Sequence, residues 1–348
     1  MNRRLLWIDV LRGSCILLVI LHHWLLHYVD DSKLLASAFF HLDHALAPIR
    51  MELLVFLSGM LVARSAAKGA FQYFDGKVKK ILYPYAIWTA FMFLVLMPIQ
   101  SPVELPAYTY FYSLKFFIGF TDLTWFLYWI FTFYIIQYFA RQLKTSTVLL
   151  LTLSLYLLVS KLEPRLITTI GEQLYAHHVS LTAAIYLFFY FYLGDKFSAY
   201  IMQKEGDVSF KPGWVALSAV SFAAVVFIAT RYQWDKFSLF YLPFVAGSLL
   251  ALFALARWAS NTRPAQALGF IGQHSLIYYL GHYPIMVLLA RLTEQLPTDA
   301  ILFPTAVLFI SLLLPWLFIK HYEKKSVTLL FEWPSAVPAR KAAKNSNL

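Results

Sequence analysis

The stretch DVLRGSCILLVILHHWLLHYVD, Asp9 to Asp30, is apolar enough to cross a bilayer, yet it carries an arginine near its start and three histidines near its end. A spanning helix needs about 20 mostly apolar residues. On insertion scales a charged side chain at its centre costs about 2.5–3.5 kcal/mol, so Arg12, His22, His23 and His27 call for a reason to be there. An α-helix turns about 100° and rises about 1.5 Å per residue, so the step from Arg12 to His23 ends about 20° from where it began and about 16 Å higher. Asp9, a turn before Arg12, and His27, a turn after His23, fall near the same stripe. His22 points about a quarter-turn away, and on that argument His22→Ala is expected to be mild. A plainer reading stands beside this one: Arg12 as a surface anchor paired with Asp9, and the histidines as an interfacial belt with Trp24 and Tyr28.

The rest of the chain agrees with a membrane setting. It has 348 residues, 60% of them hydrophobic and 14% charged, and a mean hydropathy of +0.63, against about 45–50% apolar and 25% charged in soluble domains. Mostly apolar windows at 10–29, 46–66, 80–98, 124–141, 146–160, 180–198, 213–230, 237–257, 268–290 and 302–320 predict an all-α, polytopic helix bundle of about ten transmembrane helices. The aromatic stretch 104–120 reads as an interfacial or re-entrant piece. With the N-terminus cytoplasmic, 21 of the 29 basic residues fall on the inside, which predicts both termini in the cytoplasm. The net charge of +11 is thereby explained by topology, with no nucleic acid. A single cysteine, Cys15, excludes intrachain disulfides and thiolate metal clusters. No small-residue cleavage site follows the first apolar run, so that helix is expected to remain in the mature protein. Residues 1–322 form the expected transmembrane domain, and 323–348 a short basic tail, disordered by composition.

Three further groupings could carry chemistry. In RMELLVFLSGMLVARS, Glu52 sits at a depth where it could orient His23, with Ser58 and Gly59 deeper; a local Arg50–Glu52 pair and a close-packing Ser-Gly step remain the alternatives. In FDGKVKKILYPYAIW, Lys77, Lys79 and Lys80 cluster before a proline-started helix, where ammonium groups can hold phosphates of lipid or of a nucleotide-like donor. In IGQHSLIYYLGHYPI, His282 precedes Tyr283-Pro284, an imidazole beside a loosened backbone. The outer-loop pairs His41/His44 and His177/His178 lack metal-site spacing, and no metal is expected.

In order along the chain, Asp9, Leu11-Arg12-Gly13 and His23, then Glu52 to Ser58-Gly59, Trp125-Phe126-Leu127, and Gly272, Ser275, Tyr279-Leu280, His282 and Pro284 resemble the membrane-bound acyltransferase 3 family over nearly the whole length. The resemblance implies an O-acyltransferase of the cell membrane, here a bacterial inner membrane. It moves an acyl group, most simply acetyl, from cytoplasmic acyl-coenzyme A to a hydroxyl of an outward-facing carbohydrate or glycan. Taken with the spacing of these residues, the expectation is that His23 and Glu52 are catalytic, that Arg12, Lys77, Lys79 and Lys80 bind the donor, and that Asp9, Ser58, Trp125, Tyr279 and His282 line the substrate path. No tightly bound cofactor is expected; acyl-coenzyme A is a co-substrate. One departure is that lysines stand where relatives place two arginines before the proline helix, so phosphate would be held as a point charge rather than by a bidentate fork. Some relatives fuse a soluble esterase-like domain after the last helix; none follows here, so the chain is expected to act alone or with a separate soluble partner. Two other readings stay open: a secondary transporter or flippase for a glycan or lipid-linked intermediate using the charges as a proton relay, and a haem-binding electron carrier with facing histidines.

Overall fold

The computed structural model describes residues 5–28, 34–100, 123–170, 172–203, 212–232, 241–293 and 302–334. Among the described residues all regular structure is helical: α1 Leu6–Tyr28, α2 Leu34–Gly59, the short α3 Val62–Ala66, and a nearly continuous rod of α4 Ala70–Lys77, α5 Tyr83–Phe91 and α6 Met97–Gln100. Two π-helical turns, Val78–Leu82 and Met92–Leu96, join the pieces of that rod. The chain continues through α7 Trp125–Ala140, α8 Thr145–Ile170, α9 Glu172–Gln203, α10 Pro212–Tyr232 and α11 Tyr241–Ala259. It ends in α12 Arg263–Gln273, α13 Ser275–Thr293, α14 Leu302–Lys320 and the short α15 Lys325–Phe331. Three spans, Leu6–Tyr28, Ala70–Leu96 and Phe303–Lys320, are each long and apolar enough to cross a membrane.

α1 lies at the centre, against α2, α11, α12, α13 and α14. Its contact with α12 is backbone on backbone. A Cβ added at Gly13 would sit 1.9 Å from the Leu268 carbonyl oxygen, and one at Gly272 would sit 1.8 Å from the Asp9 carbonyl oxygen. Small residues permit this approach, which drives helix association where lipid is as apolar as the side chains. α2 and α9 cross in the same way, with Gly59 under the Phe191 carbonyl and Gly194 under that of Phe56. Leu53, Val55, Leu57, Ile16 and Ile20 fill the core between the two crossings.

Four boundaries differ from the sequence reading. α2 begins at Leu34 and stops at Gly59, upstream of the expected 46–66, because the polar run His41–Asp43 is helical rather than a loop. His177 and His178 are likewise on a helix, α9. The window 268–290 is two helices: Thr262 caps α12 by accepting from the Ala265 amide, Pro264 sits in its first turn, and the chain breaks at His274, φ −111° and ψ 25°. The expected tail is structured at its start, since α15 packs Phe331 into the core. The stretch 104–120 and residues 335–348 lie outside the described residues.

Candidate functional site

A charged and aromatic seam follows α1 from one end to the other. At its lower end, Arg12 is half-buried and pairs with no carboxylate among the described residues. Asp9 is not its partner: it is buried where its own backbone packs on α12. The guanidinium is instead within electrostatic range of the Tyr134 hydroxyl on α7. That hydroxyl donates to the Ser58 carbonyl (2.8 Å), and Tyr73 donates to the Tyr134 carbonyl (2.8 Å). Lys77 lies 3.5 Å over the Tyr134 ring and donates to Ser65 Oγ at 3.2 Å. Lys77 thus lies on the π face of Tyr134, whose hydroxyl is turned to the Ser58 carbonyl. The Ser58 hydroxyl is occupied by its own helix, donating to Leu54 O at 2.8 Å.

The three lysines are not equivalent. Lys77 is turned inward, Lys79 pairs with Asp75 at 2.8 Å, and Lys80 is exposed with no pairing among the described residues. Their π-helical turn is held from outside by the last helix: Tyr83 donates to Leu329 O (2.7 Å), Trp88 to Leu330 O (2.8 Å), and the Trp333 amide to Lys79 O (3.4 Å).

At the upper end, His23 packs between imidazoles and a phenol. Its ring centroid lies 5.3 Å from His282, 5.3 Å from Tyr283 and 5.5 Å from His22. His282 is fully buried, its Nδ1 3.0 Å from the Tyr278 carbonyl and its Nε2 without a partner among the described residues. Tyr279 stacks edge-on with Phe126 at 5.7 Å and donates its hydroxyl to the Leu123 carbonyl, tying α13 to the turn before α7. Trp125 opens α7 with its ring against Phe126, 6.1 Å away.

Glu52 does not reach His23. Cys15 Sγ lies 3.7 Å from Ile49 O, and His22 Nδ1 lies 2.7 Å from Asp43 Oδ2. These two contacts fix an antiparallel register in which Glu52, a turn beyond Ile49, falls level with Arg12 and Gly13, about 15 Å below His23. There Tyr186 of α9 donates its hydroxyl to Glu52. The carboxylate at the depth of the histidines is Asp43, which the sequence reading placed in a loop. It binds His22 through one oxygen and Arg50 Nη1 through the other, at 2.5 Å. Asp195 was missed as well. Buried beside the Gly59–Gly194 crossing, it accepts from Gln137 Nε2 at 2.7 Å and from Arg141 Nη1 at 2.8 Å. Its only sequence signal was an acid inside an apolar window.

The fold thus defines a helical, multi-pass membrane protein whose central helix has a cationic lower end and, higher up, His23 packed on His282 of α13. The model of the acyltransferase domain, acyltransferase 3 type, matches residues 5–320, and the chain belongs to that family of membrane acyltransferases. No curated protein and no solved structure matches the chain.

Proposed function

We propose that the protein is an O-acyltransferase of a bacterial inner membrane, taking an acyl group, most simply acetyl, from cytoplasmic acyl-coenzyme A and passing it to a hydroxyl of an outward-facing carbohydrate or glycan. The observation that carries this is the α1 seam, with an Arg12 that pairs with no carboxylate among the described residues and, about 16 Å above it, a half-buried His23 packed on the buried His282. The donor's phosphates are anionic, and Arg12 with Lys80 and Lys77 offers them cations in a partly dehydrated place. The pantetheine arm then follows α1 upward.

At the upper end His23 accepts the proton of the acceptor hydroxyl as the oxygen attacks the thioester carbonyl carbon. The carbon–sulfur bond breaks, and the departing thiolate takes the proton back from the imidazolium.

The test uses membrane vesicles carrying the protein and acetyl-coenzyme A labelled in the acetyl group, with label in non-diffusible material as the readout. His23→Ala and Arg12→Ala are expected to abolish transfer at normal expression. Full transfer by His23→Ala would end this mechanism.

A further inference from the structure

We propose that His282 is the positioning residue for His23, the role the sequence reading gave to Glu52. The inference rests on the reading of His23 as the base. His282 Nδ1 faces the Tyr278 carbonyl at 3.0 Å, and a carbonyl only accepts, so Nδ1 carries the hydrogen and Nε2 carries the lone pair. Nδ1 is turned to its own helix, so Nε2, at the far side of the ring, is directed away from that helix. A ring neighbour of His282 is His23, with centroids 5.3 Å apart.

Nε2 of His282 is buried and unpartnered among the described residues, and one more hydrogen bond would relieve that orphaned acceptor. The His23 side chain makes no hydrogen bond among the described residues, so no other partner there holds its nitrogens. Centroids at this separation allow two facing nitrogens to meet at about 2.7–3.2 Å.

The consequence is a tautomer choice. When His23 donates its N–H to His282 Nε2, its other nitrogen holds the lone pair that receives the acceptor's proton. After proton uptake both His23 nitrogens donate, and His282 continues to accept from one of them. His282 neither gains nor loses a proton. It does for His23 what a carboxylate does in a hydrolase triad, without a buried charge.

The test compares His282→Leu, which removes the acceptor, with His282→Gln, whose amide oxygen can stand near the Nε2 position. Acetyl transfer is measured in vesicles, and thermal unfolding of the detergent-purified protein checks the fold. His282→Leu is expected to lower kcat about 10²–10⁴-fold with KM for acetyl-coenzyme A unchanged, and His282→Gln to recover at least about tenfold of that loss. A kcat within about threefold of wild type in His282→Leu would overturn the proposal. So would a Gln variant no better than Leu while melting like wild type. Transfer that survives His23→Ala would strike the underlying mechanism instead, which keeps the two failures apart.

Discussion

Asp43 Oδ2 lies 2.7 Å from His22 Nδ1, so the histidine that points away from the Arg12 stripe is the one held by a carboxylate. The other Asp43 oxygen takes Arg50 Nη1 at 2.5 Å, and Arg50 is itself buried. Three ionisable side chains from α1 and α2 thus form a closed group at the upper end of the helix pair. Removing the central acid strands the guanidinium, and breaking a buried pair from one side costs about 3–5 kcal/mol. Asp43→Ala is expected to lower the unfolding temperature and yield of the purified protein markedly. His22→Ala removes one hydrogen bond to a charged group, worth about 1.5–3 kcal/mol, and is no longer expected to be mild. Wild-type melting in both variants would show that the group has no structural part.

The crossings of α1 with α12 and of α2 with α9 leave no space for a methyl group. Gly13→Ala would bring a Cβ to 1.9 Å from Leu268 O, and Gly59→Ala would bring one to 2.0 Å from Phe191 O. Both obstacles are backbone, so the helices must separate. Each variant is expected to fail to accumulate, or to melt well below wild type. Gly247→Ala, with nothing within 4 Å of its Cβ position, serves as the control and should behave as wild type by the same gel-filtration and melting measurements.

Much of α1 could be read before the structure, because its stripe depends only on helical periodicity within one segment. The order of motifs likewise pointed to the family. The partner of the stripe was not legible. Register between α1 and α2 depends on where α2 begins, and the polar residues His41 and Asp43 look like a loop until Arg50 and His22 are seen to satisfy the acid. The break at His274 carries no proline, and the nearest glycine, Gly272, is spent on the close contact with α1. Asp195 gains its meaning only from Gln137 and Arg141, which lie on another helix far away in sequence.

Among the lysines, exposure ranks the effect on donor binding. Lys80 is exposed and unpaired among the described residues, whereas Lys79 is tied to Asp75. Lys80→Ala is expected to raise KM for acetyl-coenzyme A several-fold at little change in kcat, with Lys79→Ala smaller. Added salt should weaken donor binding in the wild type more than in Lys80→Ala, because screening acts on exposed charges. Equal salt dependence in the two proteins would remove Lys80 from the donor site.

The last helix supplies a more distant control on the same turn. α15 lies beyond the residues matched by the family model, yet Phe331 is only 2% exposed and stacks on Trp88 at 5.4 Å, while Tyr83 and Trp88 donate to its carbonyls. These contacts hold α5 directly after the π-helical turn Val78–Leu82 that bears Lys79 and Lys80, and the Trp333 amide reaches that turn at Lys79 O, 3.4 Å away. Phe331→Ala in a buried aromatic cluster costs about 3–5 kcal/mol, and its first effect should be local, because the clamp is a single short helix at the edge of the bundle. The expected outcome is a raised KM for acetyl-coenzyme A, together with faster protease cleavage after Lys79 or Lys80, before any change in the imidazole end of the seam. Trp333→Ala, which removes the ring packed 5.2 Å from Tyr83, should give the same pattern more weakly. If both variants lower kcat and leave KM and cleavage unchanged, α15 does not hold the lysine turn.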